Sequence, residues 1–219
     1  MKNIAILGGT GALGAALAGR LAKVGHMICI GSRDPDKAQA FAATLNDAAA
    51  GRRVSGAGLA EAAVQADIIF VTVPYAAHRD TLTQIREAAQ GKIIVDATVP
   101  LQPPKVGTVQ LPAAGCAALE AAQLLGPDVR LVSALQNIGA EKLASGAKID
   151  ADVLVAGDDT DAVEAVRDIL TELEMRSWHV GPLANSAAAE ALTSVLIQLN
   201  RRYKLVQAGI RITGQAKDA

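Results

Sequence analysis

Gly9, Gly11 and Gly14 stand at the spacing G-x-G-x-x-G, directly after the aliphatic run Ile4-Ala5-Ile6-Leu7 and at the opening of a helical pattern. Each glycine has a separate task. The first permits a tight turn, the second lets backbone approach a pyrophosphate, and the third lets helix and strand pack closely, while the helix N-terminus attracts phosphate charge. Glycine-rich turns are common, and an ordinary βα turn without ligand is the competing reading. Here the place near the start of the chain, the flanking strand and helix, and the strand-helix alternation downstream all agree. The chain therefore opens as a dinucleotide-binding unit of Rossmann type, with Gly9, Thr10, Gly11, Ala12, Leu13 and Gly14 as its phosphate-binding turn.

The end of the second strand selects the nucleotide. Domains that bind NAD place an acidic residue there to hold the ribose hydroxyls, about 20 residues after the glycines. This chain has Gly31-Ser32-Arg33 instead, followed by Lys37. A planar guanidinium fork, a hydroxyl and an ammonium suit a 2′-phosphate dianion that a carboxylate would repel. The expected cofactor is NADP(H), held by Ser32, Arg33 and Lys37. In the alternative, Arg33 and Lys37 are surface charges paired with the capping segment Asp34-Pro35-Asp36.

Composition narrows the class. Apolar residues make up 51% of the chain but aromatics only 2%, so the core must be built from Ala, Val, Ile and Leu. That is the filling of buried parallel strands flanked by Ala-rich helices. Lys and Arg total 21 against 22 Asp and Glu, a balance without the field that would recruit nucleic acid or a membrane surface, so the expected partner is a small-molecule co-substrate. No apolar run approaches the ~20 residues of a membrane-spanning helix. Cys29 and Cys116 have no metal-ligand spacing and read as small buried hydrophobes of a reduced compartment. A cytoplasmic enzyme without a metal site is the expectation.

Strands are expected at Asn3–Leu7, Met27–Ile30, Ile68–Val73, Ile93–Asp96, Arg130–Ser133 and Asp152–Ala156, with helices at Leu13–Lys23, Asp36–Asp47, Ala76–Ala89 and Ala113–Leu125. Gly51–Gly58 reads as a loop entering a short strand and Leu59–Gln65 as a short helix. Thr160–Leu173 has amphipathic spacing, a short strand follows near Arg176–Val180, and Asn185-Ser186 can cap a last helix through Leu199 or to Tyr203. The tail Gly209–Ala219 is expected to fray. The fold class is α/β: a Rossmann-type doubly wound parallel sheet with a small C-terminal α/β extension. Residues 1–150 form the NADP-binding domain and residues 151–219 the extension.

In such a sheet ligands sit beyond the C-terminal ends of the strands. Three segments mark that rim: Val71-Thr72-Val73-Pro74-Tyr75, Asp96-Ala97-Thr98-Val99-Pro100 and Ser133-Ala134-Leu135-Gln136-Asn137-Ile138-Gly139-Ala140. Of three histidines, His26 and His179 read as structural or solvated, and His78 as a polar surface residue at a helix start. No catalytic acid or base is assigned. Hydride transfer between two organic carriers needs alignment and exclusion of water more than protein acid/base groups.

Several motifs together resemble the NADPH-dependent coenzyme F-420 reductases, the deazaflavin:NADP oxidoreductases. They are Leu7 to Gly14, Gly31-Ser32-Arg33 with Lys37, Thr72-Val73-Pro74, Val132-Ser133-Ala134-Leu135, Gly157-Asp158-Asp159, and Gly181-Pro182-Leu183-Ala184-Asn185-Ser186 leading to Glu190-Ala191-Leu192-Thr193. The resemblance spans nearly the whole chain. It implies a homodimer passing hydride between NADPH and the deazaflavin, with the extension closing the second-substrate site. By position, Thr10 to Leu13, Ser32, Arg33, Lys37, Val73, Val99 and Ala140 would touch NADP, and Gln136 and Ile138 would face the deazaflavin. The chain departs from the family pattern at Gln136, where the pattern has His, and at Gly139, where it has Pro. Gln can donate a hydrogen bond but cannot become cationic. Other readings are a reductase of a pterin, flavin or imine, and a non-catalytic NADPH-sensing protein.

Overall fold

Short aliphatic strands covered on both faces need helices on either side, and the chain supplies them in alternation. The computed structural model describes residues 1–48 and 53–214. Its elements run β1 (Asn3–Leu7), α1 (Ala12–Lys23), β2 (Met27–Ser32), α2 (Pro35–Ala48), β3 (Val54–Gly58), α3 (Leu59–Gln65), β4 (Ile68–Val71), α4 (Tyr75–Ile85), β5 (Ile93–Asp96), α5 (Ala117–Leu125), β6 (Arg130–Ser133), α6 (Ala140–Ala144), β7 (Asp152–Gly157), α7 (Thr160–Glu172), β8 (Arg176–His179) and α8 (Ser186–Tyr203). The strands form one sheet in the order β3-β2-β1-β4-β5-β6-β7-β8. β1 to β6 are parallel. Strand order reverses between β1 and β4, which opens a crevice at their C-terminal ends.

Alternation along β1 divides the core. Ile4 and Ile6 point into the cluster beneath α1, α2 and α7, while Ala5 and Leu7 point into the one beneath α3, α4 and α5. All four are buried. β1, β5 and β6 have the bounds expected from the sequence. β4 stops at Val71, two residues early, because Pro74 turns the chain into α4. α5 starts at Ala117 rather than Ala113, since Gly115 has φ +99° and Cys116 is extended. Of the expected loop Gly51–Gly58, residues 51–52 lie outside the described residues, as do residues 215–219 of the tail.

After β6 the chain reverses. β7 runs antiparallel to β6, with Ser133 opposite Ala156. The intervening stretch holds only the five-residue α6 and does not cross to the opposite end of the sheet. Residues 134–151 therefore stay on the rim where β5 and β6 end. α7 then makes a crossover to β8, parallel to β7. Beyond α8 the chain folds back on β7, and the Asp152 amide donates to the Ile210 carbonyl at 2.8 Å. The Asp152 carboxylate is the knot of this edge: it accepts from Arg176 Nε (2.7 Å) and Nη2 (2.6 Å), from Trp178 Nε1 (2.9 Å) and from the Ile212 amide (2.7 Å).

Candidate active site

The glycine loop turns at Gly8, whose φ is +80°, and its amides bond to Gly31, Ile6 and Gly8 carbonyls. α1 begins uncapped: Gly11 has no side chain to offer, and no acidic residue lies in the first turn. Helix geometry leaves the first-turn N–H groups of Ala12, Leu13 and Gly14 without intrahelical partners, aimed at whatever anion arrives. A Cβ on Gly14 would stand 2.6 Å from Thr72 Oγ1 and 2.7 Å from both the Gly8 carbonyl oxygen and Gly9 Cα. The turn closes on β4 only because that hydrogen is there.

A cleft of about 160 Å³ brings Thr10, Gly11, Ser32, Arg33 and Val73 together. Ser32 Oγ accepts from the Asp34 amide, and Asp34 Oδ1 from the Lys37 amide, which caps α2. Asp34 therefore serves the helix. Among the described residues neither Arg33 nor Lys37 makes a side-chain hydrogen bond or ion pair, so two unpaired cations flank the strand end. This favours the phosphate reading over pairing with the cap. The cradle fits a dinucleotide: open backbone donors, close backbone approach, and cations beyond.

Gln136, Ile138 and Ala140 line a second cavity of about 260 Å³ on the rim, walled opposite by Thr193 and Asn200 of α8 and by Gln207. Ala140 is thus in the second cavity and not in the first cleft, and Val99, half-buried after β5, lines neither. At Gly139 an added Cβ would collide with the Gln207 amide, whose Nε2 donates to Glu141 Oε2 at 3.0 Å. The small residue makes room for that roof. A larger groove, about 780 Å³, opens at the other end of the sheet near Arg130 and contains none of these residues.

Between the two lies a buried polar cluster that sequence reasoning missed. His78 is 1% exposed, against the expectation of a surface residue, and its Nε2 lies 2.8 Å from Asp96 Oδ2. Burial disfavours charge on the imidazole, yet the Asp96 charge and hydrogen bond outweigh it and hold its pKa above the usual value. A signal existed: His78, Leu82 and Ile85 follow helical spacing on the buried stripe of α4. Ser133 Oγ lies 2.5 Å from Ser186 Oγ, Ser186 Oγ donates to Glu190 Oε1 at 2.8 Å, and Glu190 accepts the amides of Ala117 (2.7 Å) and Ala118 (3.1 Å) at the start of α5. Gln136 Nε2 donates to Ser133 Oγ and the Asp96 carbonyl, both at 2.8 Å, leaving buried Oε1 without a partner among the described residues. The donor capacity expected of Gln136 is thus consumed inside the protein.

Burial pushes the Cys116 thiol up to about 11, which removes it as a nucleophile at neutral pH. Among the described residues no three His, Cys, Asp or Glu side chains are grouped to hold a metal ion. No helix among them is long and apolar enough to cross a membrane.

Known proteins agree with this architecture. The family described as NADP oxidoreductase, coenzyme F420-dependent, matches residues 3–100. A protein named F420-dependent NADP reductase from Methanothermobacter marburgensis is 38% identical over 219 residues, covering 96% of this chain and 98% of that one. Its namesake from Methanocaldococcus jannaschii is 36% identical over 220 residues, covering 96% and 98%. A crystal structure from Arthrobacter sp. FB24 superposes with a TM-score of 0.83 at 25% identity over 98% of this chain and 100% of that one. With such identity sustained across almost the full length of both partners, the chain belongs to the family of F420-dependent NADP oxidoreductases.

Proposed function

We propose that the protein is an NADPH-dependent oxidoreductase that transfers a hydride between NADP(H) and the deazaflavin coenzyme F-420. The observation behind this reading is the pairing of a glycine cradle and two unpaired cations with a second cavity on the same rim. Gly9, Thr10, Gly11, Ala12, Leu13 and Gly14 hold the pyrophosphate, Ser32, Arg33 and Lys37 the 2′-phosphate, and Val73 and Val99 flank the nicotinamide side. Gln136 and Ile138 meet the deazaflavin, in the cavity that Ala140 also lines. When bound, NADPH supplies the hydride and the deazaflavin ring accepts it. The protein aligns the two rings and excludes water. Residues 1–150 carry the nucleotide, residues 151–219 close the second cavity, and the enzyme works in the cytoplasm as a homodimer.

NADPH oxidation by purified protein with oxidised coenzyme F-420 under anaerobic conditions tests the reading directly. Saturable turnover at micromolar coenzyme is expected. Turnover with free flavin or a pterin alone would replace the second substrate. Arg33→Ala is expected to weaken NADPH by about 30-fold and NADH by less than threefold, because a charge-assisted fork on phosphate contributes roughly 2 kcal/mol. Equal losses for both nucleotides in a binding titration would remove Arg33 from the phosphate site.

A further inference from the structure

The hydrogen bonds around Glu190 can be ordered by counting protons. Each serine hydroxyl has one hydrogen to give, and each amide nitrogen of Gln has two. Ser186 gives its hydrogen to Glu190 Oε1, so toward Ser133 it can only accept. Ser133 must then give its hydrogen to Ser186, so toward Gln136 it too can only accept. Gln136 meets that demand with Nε2, whose second hydrogen goes to the Asp96 carbonyl. Every donor in the row points toward Glu190. The carboxamide of Gln136 is thereby locked with nitrogen inward, and the atom left without a partner among the described residues is the acceptor Oε1. All four side chains are buried: Ser186 is 0%, Glu190 1%, Ser133 1% and Gln136 6% exposed.

We propose that Glu190 is a positioning residue for the second-substrate site: through Ser186 and Ser133 it fixes the Gln136 carboxamide with Oε1 as the free atom, so that the site selects a ligand presenting an amide-type N–H there. Assignment of that ligand to the deazaflavin rests on the function proposed above; the orientation of Gln136 does not. A buried acceptor without a donor is destabilising, and an arriving N–H removes that cost.

The arrangement is sensitive to protons. Glu190 faces the α5 amides and Cys116, with Glu120 farther along that helix, Tyr75 and His78 on α4, and Asp96 on β5. Burial, with Asp96 adding to it and the Ala117, Ser186 and Ala118 hydrogen bonds opposing, pushes its carboxyl up to about 7. Oε2 accepts the Ala117 amide, and Oε1 both the Ala118 amide and the Ser186 hydroxyl. Amides only donate, so of these partners only Ser186 Oγ can turn and accept a proton, which is then carried on Oε1 toward it. The row then reverses. Ser133 would have to donate to Gln136, bringing Oε1 against the Asp96 carbonyl, acceptor against acceptor.

The test is the KM for coenzyme F-420 from pH 5.5 to 8.5 in wild type, Glu190→Gln and Ser186→Ala. In wild type this KM is expected to rise about tenfold on acidification, while that for NADPH changes less than twofold. Both variants should show a raised coenzyme KM and a flat profile, with Ser186→Ala as the milder change should Glu190→Gln fail to fold. A wild-type KM that does not vary with pH, or a profile unchanged in Ser186→Ala, overturns the proposal. If the protein does not turn over the coenzyme at all, the function above fails but this proposal is still decided in ligand-free protein by NMR. The Gln136 side-chain amide signals, assigned by their loss in Gln136→Leu, should be exchange-protected and should titrate near neutral pH in wild type but not in Ser186→Ala. Unprotected or non-titrating signals refute it.

Discussion

Gly14→Ala is expected to lower NADPH affinity about a hundredfold and stability by roughly 1–3 kcal/mol, the range for overpacking a tight contact. The new methyl would meet Thr72 Oγ1 at 2.6 Å and backbone atoms of Gly8 and Gly9 at 2.7 Å. A side-chain oxygen can rotate away, but two backbone atoms of the phosphate-binding turn cannot. The loop must lift off β4, and the first-turn amides of α1 move with it. Gly11→Ala is the contrast for stability, since its Cβ would meet only the Gly8 carbonyl at 3.2 Å. Calorimetric titration with NADPH beside thermal melts checks both effects. A Gly14→Ala protein with wild-type affinity would show that the cradle lies elsewhere.

Asp152→Ala is expected to destabilise the protein by roughly 3 kcal/mol, because Trp178 Nε1 and the Ile212 amide lose their acceptor together with the Arg176 fork. Arg176 itself is half exposed and returns to water. The Arg176 hydrogen bonds, aided by the Ile212 amide and Trp178 against the opposing effect of burial, hold the Asp152 carboxyl down to about 2. A depressed folded pKa means that this stabilisation is present above the ordinary carboxylate value near 4 and is lost as pH falls through 2. Urea titrations at pH 7 and pH 2.5 should show Asp152→Ala closing much of its gap to wild type at the lower pH. A constant gap would show that packing, not the charge, holds this edge.

What the sequence displays is what its local spacing can encode. The run Ile93–Asp96 is bounded sharply enough to give β5 its limits, and counting from the glycines to Arg33 finds the nucleotide-specific strand end. Contacts between distant residues have no such spacing. The α5 start is fixed by Gly115 and Glu190, the latter 73 positions from Ala117, so an Ala-rich pattern overextends the helix. The direction of β7 is likewise invisible in its own residues. The polarity of Gln136 depends on three side chains from β6 and α8, and a residue type alone could not say whether nitrogen or oxygen is left over.

The edge built on Asp152 also gives the molecule an optical address. Trp178 is the sole tryptophan, 40% exposed, with the Arg176 guanidinium 5.5 Å from its ring centre and its indole N–H on Asp152. Its emission therefore reports the docking of β8 and the returning C-terminal segment, at the opposite end of strand order from β2 and the nucleotide-selecting Arg33. Indole fluorescence and nucleotide titration thus watch two ends of one sheet, and any coupling between them is readable without a label.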